Sequence, residues 1–378
     1  MIDDKNVVEA EKTSGKGKDL TTAGQWRLIF WRFTRHKLAM TGAVVLLIFY
    51  LTALFAPFIS PYNAYEFYDD FADVPPQRMR FHDDNGFTIR PFYHPLIKER
   101  NMETLKLEYE RDATTRIYVK FFTPGAEYRL FGLFKSNIHL FGGSDSQPLF
   151  LFGSDNMGRD LLSRTILASR ISLTIGLVGV AITFVLGCLI GGLSGYYGGV
   201  VDAVIQRIIE FLLAIPTLPL WMALSAALPR EWTQIQTYFA IVVILSILSW
   251  TGLARVVRGK LISIREEEFI LAARVAGASD LRLIIKHLLP SFTGYLIVNL
   301  TLSIPAMILG ETALSFLGLG LRAPVISWGV LLSNAQNVRT VALYPWIMLP
   351  GIFVVLVVLA FNFLGDGLRD AADPYKEM

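Results

Sequence analysis

Three groups of residues have types and spacings that could do chemistry. Arg207 and Glu210 stand three apart among apolar residues, where a helix would let them pair. Ionisable groups in such runs face a water path or snorkel, so a pathway or gate role stands beside structural pairing. Glu311 closes another apolar run next to SFLGLG, which leaves an outer gate or a helix-end role open. Asp155, Arg159, Asp160, Arg164 and Arg170 crowd the entry to a third run, where they can cap a helix and pair or meet an incoming protein. Catalysis has no support. The chain lacks a Gly-x4-Gly-Lys-Ser/Thr loop for nucleotide phosphates, and His36, His82, His94, His139 and His287 are scattered without HExxH spacing, so no metal site is expected.

The elements that must position these residues are membrane helices. Of 378 residues, 53% are hydrophobic and 18% charged, a poor fit to a soluble domain. Runs long enough to cross about 30 Å of hydrocarbon occupy Leu38–Ile59, Ile171–Leu193, Phe211–Leu228, Tyr238–Ala254, Ser291–Gly310 and Tyr344–Gly365. Six spans are therefore expected, several bent at Pro216, Pro219, Pro305 or Pro350. Eight Lys/Arg precede the first span, whereas Ser60–Gln77 has none, which predicts a cytoplasmic N-terminus. Alternation then places Arg255–Pro290 and the C-terminus in the cytoplasm, and the seven Lys/Arg of Arg255–His287 agree. The long basic start and full-length first run argue against a cleaved signal peptide.

Composition divides the chain into a tail and interfacial helix (1–37), a first span (38–59), an extracytoplasmic insertion (60–152), a core with five spans and a cytoplasmic loop at 255–290 (153–366), and a cytoplasmic tail (367–378). In the first part, Trp26, Ile29, Phe30 and Phe33 recur at helical spacing among basic residues, as in a helix lying in the interface or in the aromatic flank of a first span. TSGKGKDL reads as a disordered tail. The insertion alternates polar and apolar residues around Pro124-Gly125, which predicts short strands and a hairpin turning there. Gly187, Gly191, Gly195 and Gly199 recur every four residues, a face for close helix approach within the chain or against a partner. Thr312–Leu321 is apolar but half a span long, and is expected to be re-entrant or interfacial.

EEEFILAARVAGASDLRLIIKHLLPS, from Glu266 to Ser291, interrupts the apolar runs. Ala272, Ala273 and Ala276 give a first helix a small-residue face, and Gly277 permits a turn. Ser279 and Asp280 suit a new helix start, with Leu281, Ile284, Ile285 and Leu288 as its apolar stripe and Arg282 and Lys286 projecting away. Such a projection suits another protein's groove, beside the plainer reading of a basic loop.

At these residues the chain resembles the inner-membrane permease subunits of ABC importers, whose shared signature is EAA, three residues, Gly, then a fixed gap to Ile-x-Leu-Pro. Leu271 and His287 stand where that pattern has glutamate and isoleucine, so a contact made by the glutamate is not carried over. Phe152–Leu177, Gly195–Asp202, Gly310–Gly329 and Phe361–Pro374 are similar to the second, C-type permease of dipeptide/oligopeptide/nickel importers. The resemblance implies an all-α membrane protein of the type I importer permease kind with six spans; the small mostly β insertion after the first is read from its own residue pattern, since Pro61–Leu151 matches the family only loosely. It implies ATPase coupling through Ala272, Ala273, Arg274, Gly277, Ala278, Ser279, Asp280, Leu289 and Pro290. It also implies a second permease subunit, two ATPase subunits that bind ATP and Mg, and a secreted substrate-binding protein, for which Asp155, Arg159 and Asp160 are contact candidates beside their capping and pairing role. The chain itself would hold no cofactor. The expected function is a permease in a bacterial inner membrane importing peptides or similar polar solutes by alternating access. The alternatives are an ion-gradient transporter, which would call for carboxylates that the spans lack apart from Glu210 and Glu311 near their ends, and a non-transporting scaffold.

Overall fold

The computed structural model describes residues 25–83, 86–100, 107–144, 146–229 and 231–372. The expected tail at 13–20 and the Trp26 side chain lie outside them. Long helices dominate: α1 (Gln25–Arg35), α2 (Lys37–Leu54), α3 (Leu161–Tyr197), α4 (Gly199–Ala214), α5 (Thr217–Ala226), α6 (Gln234–Ile264), α7 (Glu268–Val275), α8 (Asp280–Leu283), α9 (Thr293–Phe316) and α10 (Leu349–Ala372). Among the described residues five helical segments are long and apolar enough to cross a membrane. A sixth crossing exists only if the α4–α5 pair, bent by 84°, counts as one. The run expected as one span at Phe211–Leu228 is therefore broken at Ile215, which is extended before Pro216 because the proline ring disfavours a helical residue ahead of it.

Charge-free runs underestimate the helices. α3 starts ten residues before Ile171, capped by Asp160, because Arg164 and Arg170 hide its first turns from a hydropathy reading. α6 continues ten residues past Ala254, so the first part of the expected 255–290 loop is helix. α10 runs past 366 to Ala372, and the expected tail begins inside it. α9 continues through Thr312–Phe316, so the expected re-entrant segment starts as plain helix and turns at Leu317. The first crossing divides at Phe55, where a short turn, Ala56–Ile59, carries Pro57.

Between α2 and α3 the described residues of the insertion form seven strands: β1 (Arg80–Asp83), β2 (Gly86–Tyr93), β3 (Leu96–Arg100), β4 (Leu107–Arg111), β5 (Ile117–Tyr118), β6 (Lys120–Leu130) and β7 (Phe134–Gly142). They form a three-stranded sheet ordered β1-β2-β5 and two hairpins, β3-β4 and β6-β7, all antiparallel. The hairpin turn does not fall at Pro124-Gly125. It falls at Phe131–Leu133, where Phe131 and Gly132 take φ of 54° and 74°. Pro124 and Gly125 lie in a bulge between the Pro124–Ile138 and Tyr128–Ser136 pairs, and a side chain at Gly125 would strike the His139 ring. The ring nitrogens lie 2.6 Å from Ser60 O and 3.0 Å from Ala126 O, both acceptors, and so pin the hairpin to the end of the first crossing.

The glycine ladder packs inside this chain. A side chain at Gly187 would meet Leu253, at Gly191 the Ala254 carbonyl, and at Gly195 the Arg258 backbone and Leu261, all on α6. α3 and α6 thus touch backbone to backbone, the arrangement that small residues permit between membrane helices. Gly199 falls outside the ladder, at the start of α4, with open space around it.

Candidate functional site

The elbow from α7 to α9 is built on the far end of α3 from the insertion. Glu267 precedes α7, which ends at Val275 with Ala276 as its C-cap; Gly277 then takes φ +82°, a left-handed turn that a side chain resists, and Ser279 in extended conformation opens α8. From Ile284 to Leu288 the backbone widens to a π-turn, with Leu289 N donating to Ile284 O, and Pro290 follows. Ile270, Leu283, Ile284 and Leu288 are buried against Val257 and Leu261 of α6. The expected apolar stripe is therefore split. Ile284 and Leu288 face the bundle with Leu283, whereas Leu281 and Ile285 are exposed. With Phe269, Leu271 and the 90%-exposed Val275 they leave the elbow an outward apolar surface.

A polar clasp holds this elbow to α3. The Tyr196 hydroxyl donates to Asp280 Oδ1 (2.6 Å) and the Tyr197 hydroxyl to Asp280 Oδ2 (3.2 Å). Arg274 donates to the Tyr196 hydroxyl at 3.4 Å, its guanidinium 5.6 Å from the ring centre. One layer inward, Arg258 grips Asp202 with two bonds of 2.5 Å, Ser194 donates to the same carboxylate, and Arg265 donates to Gly195 O (3.3 Å). Bidentate guanidinium–carboxylate pairing fixes orientation as well as distance, so the ends of α3, α4 and α6 and the elbow form one unit. Tyr196, Tyr197, Asp202 and Arg258 were not singled out by the sequence reading. Gly195–Asp202 stood out as a block, but its partner lies 84 residues away in the chain, and no local spacing announces it.

Among the coupling residues expected from sequence, Ala272, Arg274, Gly277, Ser279 and Asp280 are exposed, Ala273, Ala278 and Leu289 half-buried, and Pro290 exposed, all within the elbow. Arg207 and Glu210 pair at 2.8 Å on α4 and are 85% and 61% exposed. They stand apart from the elbow clasp, on a face no other described segment covers.

Glu311 is not at a helix end. It is wholly buried inside α9, where Oε1 accepts from Ser315 (2.8 Å) and Ser327 (2.7 Å). Ser315 in turn accepts from Leu321 N (3.0 Å), and Ser327 caps the next helical turn at Val330 N (3.2 Å). The carboxyl thus folds the 317–327 loop back on α9. Glu311→Ala is expected to strand both hydroxyls and lower stability by about 2 kcal/mol, with Glu311→Gln much milder. Melting curves of the purified protein check this; equal melting of Glu311→Ala and the native chain would refute the role.

The Asp155 cluster is internal. Asp155 is 2% exposed and takes Met157 N, Arg159 N, Arg159 Nε (2.8 Å) and the Arg164 guanidinium (3.4 Å), while Asp160 is fully buried and caps α3 through Ser163 N (2.7 Å). Burial pushes the Asp160 carboxyl up to about 6. The capping and pairing expected of these residues is the arrangement present: Asp160 caps α3 and Arg159, 15% exposed, pairs with Asp155, which leaves little of either carboxylate at the surface. The cluster also joins insertion to bundle: Ser154 pairs with Val74 in both directions (2.8 and 3.0 Å), and Trp346 donates to Ser154 O (3.1 Å).

A multi-span helical membrane protein with an exposed apolar elbow at one end and a β insertion at the other is the class these features define. Family comparison makes it specific. The model described as binding-protein-dependent transport system inner membrane component matches residues 184–376, and that of the N-terminal TM domain of oligopeptide transport permease C matches residues 24–76. The chain is 30% identical over 370 residues to the oligopeptide transport system permease protein OppC of Bacillus subtilis (strain 168), covering 98% of this chain and 94% of that one. It is 42% identical over 226 residues to the dipeptide transport system permease protein DppC of the same organism, covering 59% and 68%. Against OppC of Escherichia coli (strain K12) it is 43% identical over 231 residues, covering 61% and 74%. A solved methionine ABC transporter, MetNI, aligns over 56% of this chain and 97% of that one at 18% identity with a TM-score of 0.44, too remote to bear on the argument.

The chain belongs to the binding-protein-dependent transport system inner membrane component family. It is a multi-pass inner-membrane permease subunit of an importer whose ATP hydrolysis resides in separate subunits and whose substrate is delivered by a binding protein.

Proposed function

We propose that this chain forms one half of a heterodimeric translocation pathway for peptides or similar small polar solutes, and that α7–α8 seats in a cleft of an ATPase subunit. The observation that carries the coupling role is the exposed apolar face of Leu271, Val275, Leu281 and Ile285 on an elbow clasped to α3. An apolar face on a short rigid helix is the usual anchor of helix-in-groove docking. The peptide class is supported by the names of the relatives, OppC and DppC. ATP and Mg are held by the ATPases, and Ala272, Ala273, Arg274, Gly277, Ala278, Ser279, Asp280, Leu289 and Pro290 make or shape the coupling contact.

In this reading both termini and the elbow are cytoplasmic and the 60–152 insertion is extracytoplasmic, as the basic residues of 255–287 favour. ATP-driven closure of the ATPases moves the elbow; α3, 37 residues and about 55 Å long, carries that motion to the Asp155–Asp160 junction with the insertion. Each nucleotide state favours one packing of the spans, which is what alternates access. Arg207 and Glu210, exposed on α4, face the pathway or the second permease rather than lipid, since a charge facing hydrocarbon costs several kcal/mol.

Reporters fused after Gln234 and after Arg265, at opposite ends of α6, test the orientation: the first should read extracytoplasmic and the second cytoplasmic. Vesicles carrying the chain with its second permease, ATPases and binding protein should accumulate peptide only with ATP. Reversed reporters would overturn the orientation, and accumulation without ATPases would overturn the function.

A further inference from the structure

α1 closes an apolar slot at the elbow end of the bundle. Ile29 and Phe33 of α1, Ala43 of α2, Ile297 of α9, and Leu364 and Leu368 of α10 line a cavity of about 390 Å³ almost wholly with hydrocarbon. A second cavity of about 580 Å³ adjoins it and shares Gly294, Val298 and Ala372. That second space is different in character: Lys260 and Arg369 line it with Tyr295 and Asn299. Gly294 sits where the two meet, and a methyl group there would touch only Ala372, at 3.5 Å, so the passage stays open for want of a side chain.

Two cations converge on one end. The Lys260 ammonium stands 5.8 Å from the Tyr295 ring centre, and neither Lys260 nor Arg369 has an ion-pair partner among the described residues. Asp370, beside Arg369 in the chain, lies 3.7 Å from His36. A ligand suited to both spaces has an anionic head and a long hydrocarbon part. A peptide solute or a helix of a partner protein would leave the apolar slot either empty or filled at the expense of its polar groups. Basic pockets between membrane helices on the side facing the cytoplasm bind anionic lipid heads, and α1 itself carries Arg27, Arg32 and Arg35 on the same end.

We propose that these joined cavities hold one anionic phospholipid, its phosphate between Lys260 and Arg369 and one acyl chain in the slot beneath α1. The lipid then bridges α6, α9 and α10 to α1 close to the coupling elbow, and the importer's stability depends on anionic lipid in the membrane.

The test uses the intact importer complex in nanodiscs of mixed phosphatidylcholine and phosphatidylglycerol, with lipids that remain bound after detergent transfer counted by native mass spectrometry. The native complex should retain phosphatidylglycerol in preference to phosphatidylcholine. K260Q/R369Q should lower that retention by about 30-fold, the factor for removing two cations at a membrane surface, and K260R/R369K should restore it. Ala43→Phe, which fills the slot and leaves both cations, should expel the same lipid. Circular dichroism of each variant in phosphatidylcholine alone verifies that it is folded. Equal retention of the two lipids, retention unchanged in K260Q/R369Q, or retention unchanged in folded Ala43→Phe would each overturn the proposal.

Discussion

Gly277→Asp is expected to abolish co-purification of the ATPase subunits while leaving the amount of chain in the membrane unchanged. The two effects separate because of where Gly277 sits. Its φ of +82° penalises any side chain by about 1–2 kcal/mol, too little to unfold a bundle with so large a core. A Cβ there would meet nothing within 4 Å of this chain, so no internal contact is lost. What changes is the outside of the elbow, where a carboxylate would project beside Val275 into the surface proposed to enter the ATPase cleft. An unpaired charge buried in an interface costs several kcal/mol. Gly277→Ala, which adds the strain without the charge, should retain most of the association. Normal co-purification of Gly277→Asp would show that the elbow's turn is not in the contact.

The second large effect is expected from the clasp. Asp280→Ala removes the acceptor of both Tyr196 and Tyr197, and a hydrogen bond to a charged group is worth about 1.5–3 kcal/mol before allowance for its exposure. With the elbow held to α3 only by Arg274 and apolar packing, the ATPase should still bind and hydrolyse ATP, but ATP-dependent uptake should fall by about tenfold, the equivalent of about 1.4 kcal/mol. Tyr196→Phe with Tyr197→Phe should reproduce this with the carboxylate intact. Loss of ATPase binding in step with uptake would mean that Asp280 belongs to the docking surface rather than to transmission.

Much of this was legible in the sequence because membrane helices and the elbow are local patterns. Apolar length revealed the long helices, and Ala272-Ala273, Gly277 and Pro290 marked the elbow, since a left-handed turn and a helix stop each depend on a single residue type. Helix ends were misplaced wherever charge entered the helix, as at Arg164, Arg258 and Asp366, because hydropathy reports lipid exposure and not hydrogen bonding. The bend at Pro216 was visible as a proline but not as an 84° break. Buried polar contacts were misread most. Asp155, Asp160 and Glu311 are buried, which spacing does not report: Arg159 and Ser163 N, close in the chain, hold the two aspartates as capping and pairing predict, whereas Glu311 is reached by Ser327 only because the loop folds back. The Pro124-Gly125 turn failed for a related reason: the pair fits a turn equally well as a bulge, and the His139 ring across the hairpin decides which.

Cross-linking from Val275 tests the central claim most directly. Val275 is 90% exposed on α7, and the only native thiol, Cys188, is buried in α3. In the assembled importer, Val275→Cys should form a disulfide with a cysteine placed in the ATPase cleft, at a yield that changes between nucleotide-free and ATP-bound states. A complex that stays assembled and transports peptide while Val275→Cys reaches no ATPase position in either state would contradict the account.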